Sequence, residues 1–173
     1  MSENLPSSER SFRFGTLTIS DSGASGKREQ DISGDTVSQL ATSAGLTEVA
    51  RKIVSDDIQS IQRILRIWSD EGEMDIIFTT GGTGLGPRDV TPEATREILD
   101  IEVPGIGEAM RMETINITPF AMLSRSTAGV RSGCLIINLP GSPKGVKECL
   151  EVIMPSLNHA LEMIRGWRTH LNS

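Results

Sequence analysis

Four short apolar runs, separated by helix-like segments, constrain the fold of this chain more than any other feature. They are rich in β-branched and other apolar residues and lie at positions 12–20, 47–54, 74–80 and 134–139. Such runs predict strands, those at 12–20 and 74–80 buried, and strands that alternate with helices are typical of a mostly parallel sheet with right-handed crossovers. We therefore predict an α/β fold, a three-layer sandwich of helices around a mostly parallel sheet.

The segments between these runs have the spacing of amphipathic helices. Along the clearest one, apolar side chains recur every three or four residues, at Ile58, Ile61, Ile64, Leu65 and Trp68. The tryptophan is expected to lie in the core. Asp35 is expected to cap an earlier helix, and Thr91 followed by Pro92 to start a later one. Two short helices are predicted within residues 104–125, and the last helix of the chain is expected to kink at Pro155.

The composition favours a soluble globular domain. Hydrophobic residues make up 37% of the chain and charged residues 23%, without long runs of one sign, which argues against a disordered chain and against a nucleic-acid arm. With a net charge of -6 and no stretch long enough for a membrane span or a signal peptide, neither nucleic acid nor a membrane is an expected partner. We expect a cytoplasmic protein with one domain over residues 12–166, a flexible tail over 1–11 and a C-terminal tail over 167–173.

Other reactive residue types are sparse in this chain. Cys134 lies in an apolar run and Cys149 in a helical pattern, so both are predicted to be buried thiols. The two histidines, His159 and His170, lie far from any candidate nucleophile in the predicted fold. The sequence therefore argues against Ser-His or Cys-His catalysis and against a zinc site.

The unusual residues follow the predicted strands. In a parallel sheet, ligands bind outside the carboxyl ends of the strands, where loops and helix N-termini meet. The segments after the four runs contain Ser20 and Asp21, then Asp56 and Asp57, then the glycines of "TTGGTG", and finally "PGSPKG". Asp56 fits loop capping or a ligand contact, whereas Asp57 also fits the first turn of a helix. We expect all these segments to form one rim.

The strongest ligand signal lies in the stretch "TTGGTGLGPRDVTPEAT", residues 79–95. Its glycines allow backbone N–H groups to turn inward as an anion nest, although a tight turn with nothing bound is equally compatible with them. The spacing matches neither of the common nucleotide-binding motifs. Arg88 can pair with a phosphate. Asp89 can hold Mg²⁺, orient an attacking group or cap the loop.

The segment "PGSPKG" predicts a second nest. Ser142 and the N-terminus of the last helix offer hydrogen-bond donors, and Lys144 offers a positive charge, although a simple helix cap explains Ser142 equally well. From the residues alone, we predict that the rim binds a phosphate-bearing small molecule together with Mg²⁺.

Four segments in this order, "TLTISDS", "TTGGTGLGPRDVTPEAT", "ITPFAMLSR" and "LIINLPGSPKG", resemble the molybdopterin-binding family of molybdenum cofactor biosynthesis. The resemblance covers residues 12–165 and is strongest to the eukaryotic branch that includes the gephyrin G domain. It implies a homotrimeric molybdopterin adenylyltransferase, which transfers AMP from Mg²⁺-ATP to the terminal phosphate of molybdopterin and releases pyrophosphate. The alternatives are a molybdopterin-binding scaffold without catalytic activity and a bacterial-type binder of weaker activity. A molybdenum-insertion domain or protein is an expected downstream partner.

The resemblance also implies roles for individual residues. The two functionally important aspartates of the family fall on Asp56 and Asp89, as catalytic residues and Mg²⁺ ligands. The residues that the resemblance implies bind substrate are Ser20, Asp21, Gly81, Gly82, Thr83, Gly84, Arg88, Pro140, Gly141, Ser142 and Lys144. Leu85 stands where the eukaryotic branch is expected to carry phenylalanine, which predicts altered packing there. The variable loop 23–34 leaves Arg28 and Asp31 open as ligands.

Overall fold

The computed structural model describes residues 11–27 and 30–167. In chain order the elements are β1 (Arg13–Ile19), α1 (Asp21–Ala24), α2 (Ile32–Ser43), β2 (Thr47–Val54), α3 (Ile58–Asp70), β3 (Ile76–Thr80), α4 (Thr91–Arg96), β4 (Ile101–Glu102), α5 (Pro104–Thr114), a 3₁₀ helix (Pro119–Leu123), β5 (Ala128–Arg131), β6 (Cys134–Leu139) and α6 (Pro143–Ile164). All four predicted strands are present. The predictions for residues 1–10, Arg28 and residues 168–173, which include His170, lie outside the described residues.

The six strands within the described residues form one sheet in the order β2-β1-β3-β6-β5-β4. Strands β2, β1, β3 and β6 are parallel, and β5 pairs antiparallel with both β6 and β4. The predicted mostly parallel sheet is therefore confirmed, but β4 and β5 were not predicted. β4 contains only two residues, and β5 has the sequence "AGVR", whose glycine weakens the signal of a strand.

Helices cover both faces of the sheet. On one face, α2, α5 and α6 pack their apolar side chains against a buried cluster that includes Phe14, Phe78, Leu135 and Ile137. On the other face, α3 and α4 pack against Leu17, Ile77, Cys134 and Ile136. Every residue of β3 and β6 is buried, which explains why these two strands are mostly apolar in sequence. The edge strand β2 is buried only at its last residue. The three-layer sandwich is confirmed, and Trp68 packs partly buried against the second cluster.

Two predicted helix starts differ from the structure. Asp31 rather than Asp35 caps α2, because its carboxylate accepts the Gly34 N–H at 3.0 Å. Asp35 lies in the first turn instead. Thr91 does not act as a cap because it is the first residue of α4 and its hydroxyl donates to the Gly81 carbonyl at 2.9 Å. The second predicted helix within residues 104–125 is the 3₁₀ helix, and α6 continues through Pro155.

Both cysteines are buried and unpaired, as predicted. Burial raises the pKa of Cys134 to about 12 and that of Cys149 to about 11, so both remain neutral thiols at neutral pH. Within the described part of the chain, no helix has the length and apolarity needed to cross a membrane.

Candidate active site

The carboxyl ends of the four parallel strands meet at one edge of the sheet. The pairing places Ile19 opposite Val54 and Thr80 opposite Leu139. The hydrogen bonds continue beyond the strands, because the Ser20 N–H donates to the Val54 carbonyl at 2.9 Å and the Gly81 N–H to the Leu139 carbonyl at 3.3 Å. The predicted rim is therefore present.

The first two glycines of the segment after β3 are required by the turn itself. We call residues 81–90 the glycine loop. Gly81 has a φ of 102°, and a Cβ there would lie 2.4 Å from the Ile19 carbonyl oxygen. Gly82 has a φ of 66°, and a Cβ there would lie 2.3 Å from the Thr91 hydroxyl. Both positions therefore need glycine whether or not a ligand binds.

The next part of the glycine loop is open to a ligand. Among the residues that the structure describes, no acceptor receives the backbone N–H groups of Gly82, Thr83, Gly84 and Leu85. These residues line a cavity of about 440 Å³ together with Asp89 and Ser142. Successive unpaired N–H groups beside a cavity are the arrangement of an anion nest. The stretch is thus both a tight turn and a surface suited to a phosphate.

The segment after β6 lies against the glycine loop. The Thr80 hydroxyl donates to the Pro140 carbonyl at 2.6 Å, and a Cβ on Gly141 would lie 3.3 Å from the Gly81 Cα. Ser142 caps α6, because its hydroxyl accepts the Gly145 N–H at 3.1 Å. Both glycine-containing segments therefore border the same cavity.

The second segment also offers donors and a charge. The N–H groups of Gly141, Ser142 and Lys144 have no acceptor within the part of the chain that the structure describes. The Lys144 ammonium lies 3.7 Å from the Glu148 carboxylate, and its side chain is 79% exposed. A helix N-terminus with free N–H groups and a nearby lysine favours an anion.

Asp21, Asp56 and Arg88 form one connected group on the same rim. The Asp21 N–H donates to the Asp56 carboxylate at 2.7 Å, and the Asp56 N–H returns a bond to the Asp21 carboxylate at 3.0 Å. Arg88 forms a bidentate pair with Asp21 at 3.1 and 2.9 Å. The arginine predicted to bind phosphate is therefore paired with a carboxylate in this structure.

The surroundings of this group shift the pKa values of its two carboxylates in opposite directions. The Arg88 hydrogen bonds lower the pKa of Asp21. Burial raises the pKa of Asp56, and the negative charges of Asp21 and Asp89 raise it further, against the opposing effects of the Asp21 N–H and Arg88. Asp56 is thus a carboxylate whose negative charge is disfavoured by its surroundings.

Asp56 and Asp89 each keep one carboxylate oxygen available to a ligand. One oxygen of Asp56 accepts the Asp21 N–H at 2.7 Å, and one oxygen of Asp89 accepts the Gly86 N–H at 2.7 Å. The other oxygen of each carboxylate receives no hydrogen bond from the described residues. No group of three or more acidic, histidine or cysteine side chains among those residues could hold a metal ion unaided. One or two carboxylates plus substrate phosphates are the ligands that Mg²⁺ uses in phosphate-transfer sites.

The remaining candidates have structural partners. Ser20 caps α1 by accepting the Gly23 N–H at 3.1 Å, and Asp57 caps α3 by accepting the Ser60 N–H at 2.8 Å. Asp31, left open as a ligand, accepts hydrogen bonds from Thr18, Gly34 and Arg51. Leu85 is 67% exposed at the edge of the cavity.

Sequence reasoning missed Arg125. Its guanidinium donates to the Gly84 carbonyl at 2.7 Å and also contacts the Asp89 carbonyl and the Glu93 carboxylate. The residue ends "ITPFAMLSR", one of the segments that carry the family resemblance, but the sequence pattern gave this arginine no role.

A second cavity of about 340 Å³ adjoins the 440 Å³ cavity and shares Phe120, Ser124, Pro140 and Ser142 with it.

The close approach of Gly81 predicts a large effect of a methyl group at this position. Gly81→Ala should cost about 1–3 kcal/mol more stability than Gly45→Ala, because a β-carbon at Gly81 meets the Ile19 carbonyl. Gly45 has a similar φ of 90°, and no described atom lies within 4 Å of the position that a Cβ would take there. Urea unfolding of both variants measures the difference, and equal costs would contradict a tightly packed turn.

Comparison with known proteins identifies the family. A family described as "Probable molybdopterin binding domain" matches residues 15–159. Molybdopterin adenylyltransferase of Helicobacter pylori strain J99 is 40% identical over 159 residues, covering 91% of this chain and 90% of that protein. The Drosophila melanogaster molybdenum cofactor synthesis protein cinnamon is 46% identical over 155 residues, which are 89% of this chain and 26% of that longer protein.

Solved structures agree in fold and in sequence. The molybdopterin biosynthesis enzyme MoaB from Thermus thermophilus is 48% identical, with a TM-score of 0.84 over 91% of this chain and 99% of that one. The family match extends from β1 into α6 and includes the glycine loop and the "PGSPKG" segment. The chain therefore belongs to the molybdopterin-binding domain family of molybdenum cofactor biosynthesis.

Proposed function

We propose that this protein is a molybdopterin adenylyltransferase, which transfers AMP from ATP to the terminal phosphate of molybdopterin and releases pyrophosphate. The observation that carries the proposal is the pair of segments with unpaired N–H groups that border one cavity, with Asp89 at its edge. Two nests beside one cavity suit a reaction that brings two phosphate-bearing substrates together. Relatives that carry this activity in their names match over most of the chain.

The reaction needs positioning and charge neutralisation more than covalent help from the protein. An oxygen of the molybdopterin phosphate forms a bond to the α-phosphorus of ATP, and the bond from that phosphorus to the pyrophosphate oxygen breaks. The N–H groups of the glycine loop and of Gly141 and Ser142 are proposed to hold phosphate oxygens, with Lys144 adding charge. Asp56 and Asp89 are proposed to hold Mg²⁺, which would neutralise charge on the ATP phosphates.

Arg88 is proposed to exchange its partner when substrate binds. Its pair with Asp21 is exposed to solvent, with 63% of the arginine side chain and 51% of the aspartate side chain accessible. Exposed ion pairs contribute little to stability, so a phosphate can replace the carboxylate at low cost. Asp21 then remains bonded to Asp56, and Ser20 next to it is bonded to the end of β2.

Incubation of the protein with molybdopterin, ATP and Mg²⁺ tests the proposal. We expect adenylylated molybdopterin and pyrophosphate in equal amounts, and neither product when Mg²⁺ is removed by a chelator. Tight binding of molybdopterin without any adenylylated product would contradict the enzyme and favour the scaffold. A slow but real formation of product would favour the weaker, bacterial-type binder.

We also propose that the protein assembles as a homotrimer. Large apolar side chains are exposed along α5, the 3₁₀ helix and the segment between them, at Met112, Ile115, Ile117, Phe120, Met122 and Leu123. A contiguous stretch of this kind is typical of an interaction surface.

A cytoplasmic location and a downstream molybdenum-insertion partner stay predictions.

Sedimentation equilibrium at micromolar concentration should give three times the 18.7 kDa mass of the chain. Met122→Glu should shift the protein towards the monomer, because a charge would be placed in the proposed contact. Met163→Glu is the matched control, since Met163 on α6 is 63% exposed and Met122 is 61% exposed. A strict monomer of the unaltered protein would contradict the trimer.

A further inference from the structure

We propose that Arg125 is a positioning residue that sets the direction of the phosphate-binding N–H groups in the glycine loop. The effect on loop geometry stands on the structure alone, whereas its consequence for AMP transfer rests on the proposed function. Arg125 lies beyond the 3₁₀ helix, more than thirty residues from the loop in sequence, and the motifs of the chain assign it no role.

Arg125 is bonded to both halves of the loop. Its backbone N–H donates to the Thr83 carbonyl at 2.9 Å, and its Nε donates to the Gly84 carbonyl at 2.7 Å. Its two terminal nitrogens contact the Asp89 carbonyl and the Glu93 carboxylate. All three nitrogens of the guanidinium are therefore engaged, and a loop without regular structure is held at several points.

These bonds determine where the unpaired donors point. The described peptide bonds are all trans, and in a trans peptide the carbonyl and the following N–H point in opposite directions. Holding the carbonyls of Thr83 and Gly84 therefore turns the N–H groups of Gly84 and Leu85 away from Arg125. Those two N–H groups have no acceptor among the described residues, and both residues line the cavity. Arg125 thus orients part of the anion nest by holding the carbonyl groups of the peptides whose N–H groups form it.

The chemistry of this position requires an arginine. A guanidinium is a planar fork that donates in several fixed directions, whereas a lysine ammonium is a compact charge. The Arg125 side chain is 30% exposed and the Glu93 side chain 41%, and one oxygen of Glu93 is buried with no hydrogen-bond partner among the described residues. Removing the cation would leave the Glu93 carboxylate uncompensated, so the neutral double variant Arg125→Gln/Glu93→Gln provides a second test in which the charge balance is kept.

Amide hydrogen exchange on the whole protein tests the loop directly. In Arg125→Lys and in the double variant, the N–H groups of Gly86, Asp89 and Thr91, which bond within the loop region, should exchange at least about tenfold faster than in the unaltered protein. The N–H groups of β3 should be unaffected. Binding of inorganic pyrophosphate should weaken by roughly tenfold in both variants, because the nest loses its orientation.

The outcomes separate the two proposals. Unchanged exchange in the loop of both variants would overturn the role of Arg125, whatever their activity. Faster exchange throughout the sheet would also overturn it, since Arg125 would then support the whole fold. If the unaltered protein forms no adenylylated molybdopterin but both variants show faster exchange confined to the loop and weaker pyrophosphate binding, the proposed function fails and the role of Arg125 stands.

Discussion

Asp89→Asn is expected to lower the rate of AMP transfer by at least about a hundredfold while the fold remains intact. Asp89 is proposed to hold the Mg²⁺ that neutralises phosphate charge, and loss of one such source of transition-state stabilisation typically costs two to three orders of magnitude. The asparagine oxygen can still accept the Gly86 N–H, which the Asp89 carboxylate accepts at 2.7 Å. This variant therefore removes the negative charge and leaves the loop hydrogen bond in place.

Two further variants complete the experiment on Asp89. Asp89→Ala removes the charge and the hydrogen bond together, so it should lose most of the turnover and exchange its loop amides faster. Asp57→Asn is the matched control, because Asp57 caps α3 one residue from Asp56 and should change turnover by less than about twofold. Loss of the circular-dichroism signal together with activity in the Asp89 variants would show that the residue is structural.

Asp56→Asn is expected to abolish most of the turnover and, at the same time, to stabilise the protein at neutral pH. The loss of turnover follows from the proposed Mg²⁺ role, with a magnitude similar to that at Asp89. The gain in stability follows from the raised pKa of Asp56, whose charge is disfavoured by burial and by Asp21 and Asp89. A group whose pKa is raised in the folded state binds protons more readily there than in the unfolded chain, so stability falls as pH rises through that pKa.

The pH dependence of this effect has a defined sign. Below the ordinary aspartate value of 3.8, Asp56 is protonated in both states, so the advantage of Asp56→Asn should disappear. Above the raised value the advantage should be complete. Asp21→Asn should instead destabilise the protein at neutral pH, because Arg88 lowers the pKa of Asp21 and the folded state favours its charge. This loss of stability should disappear as pH falls through the lowered pKa. Denaturant unfolding without ATP or Mg²⁺ measures both, and a destabilised Asp56→Asn at pH 7 would contradict the account.

The parts of the fold that the sequence predicted are those with strong local patterns. The buried strands β3 and β6 have short, mostly apolar runs, and α3 has its regular spacing of apolar residues. β4 and β5 were missed because their pairing is set by β6 and by the segments around them, since neither is long enough to carry a pattern of its own. Asp31 and Asp35 were both candidates for the cap of α2. Arg51 pairs with both, but only Asp31 also accepts the Gly34 N–H and the Thr18 hydroxyl, which the sequence does not indicate.

The site was predictable where its residues follow strand ends and unpredictable where they lie elsewhere. Asp56, Gly81 and Ser142 were identified because the carboxyl ends of parallel strands meet. The pair between Asp21 and Arg88 joins residues 67 positions apart, and nothing local in the sequence indicates it. Arg125 donates hydrogen bonds to backbone carbonyls. Because every residue has a carbonyl, no pattern of side chains in the sequence indicates which ones it binds.

The position of a radioactive label in the product tests the central proposal most directly. The unaltered protein is incubated with Mg²⁺, molybdopterin and ATP labelled at either the α- or the γ-phosphate, with Asp89→Ala run in parallel. We predict that the α-label appears on molybdopterin, that the γ-label appears in pyrophosphate, and that Asp89→Ala forms little of either. Transfer of the γ-label to molybdopterin, or no transfer of label at all, would contradict AMP transfer as the function of this protein.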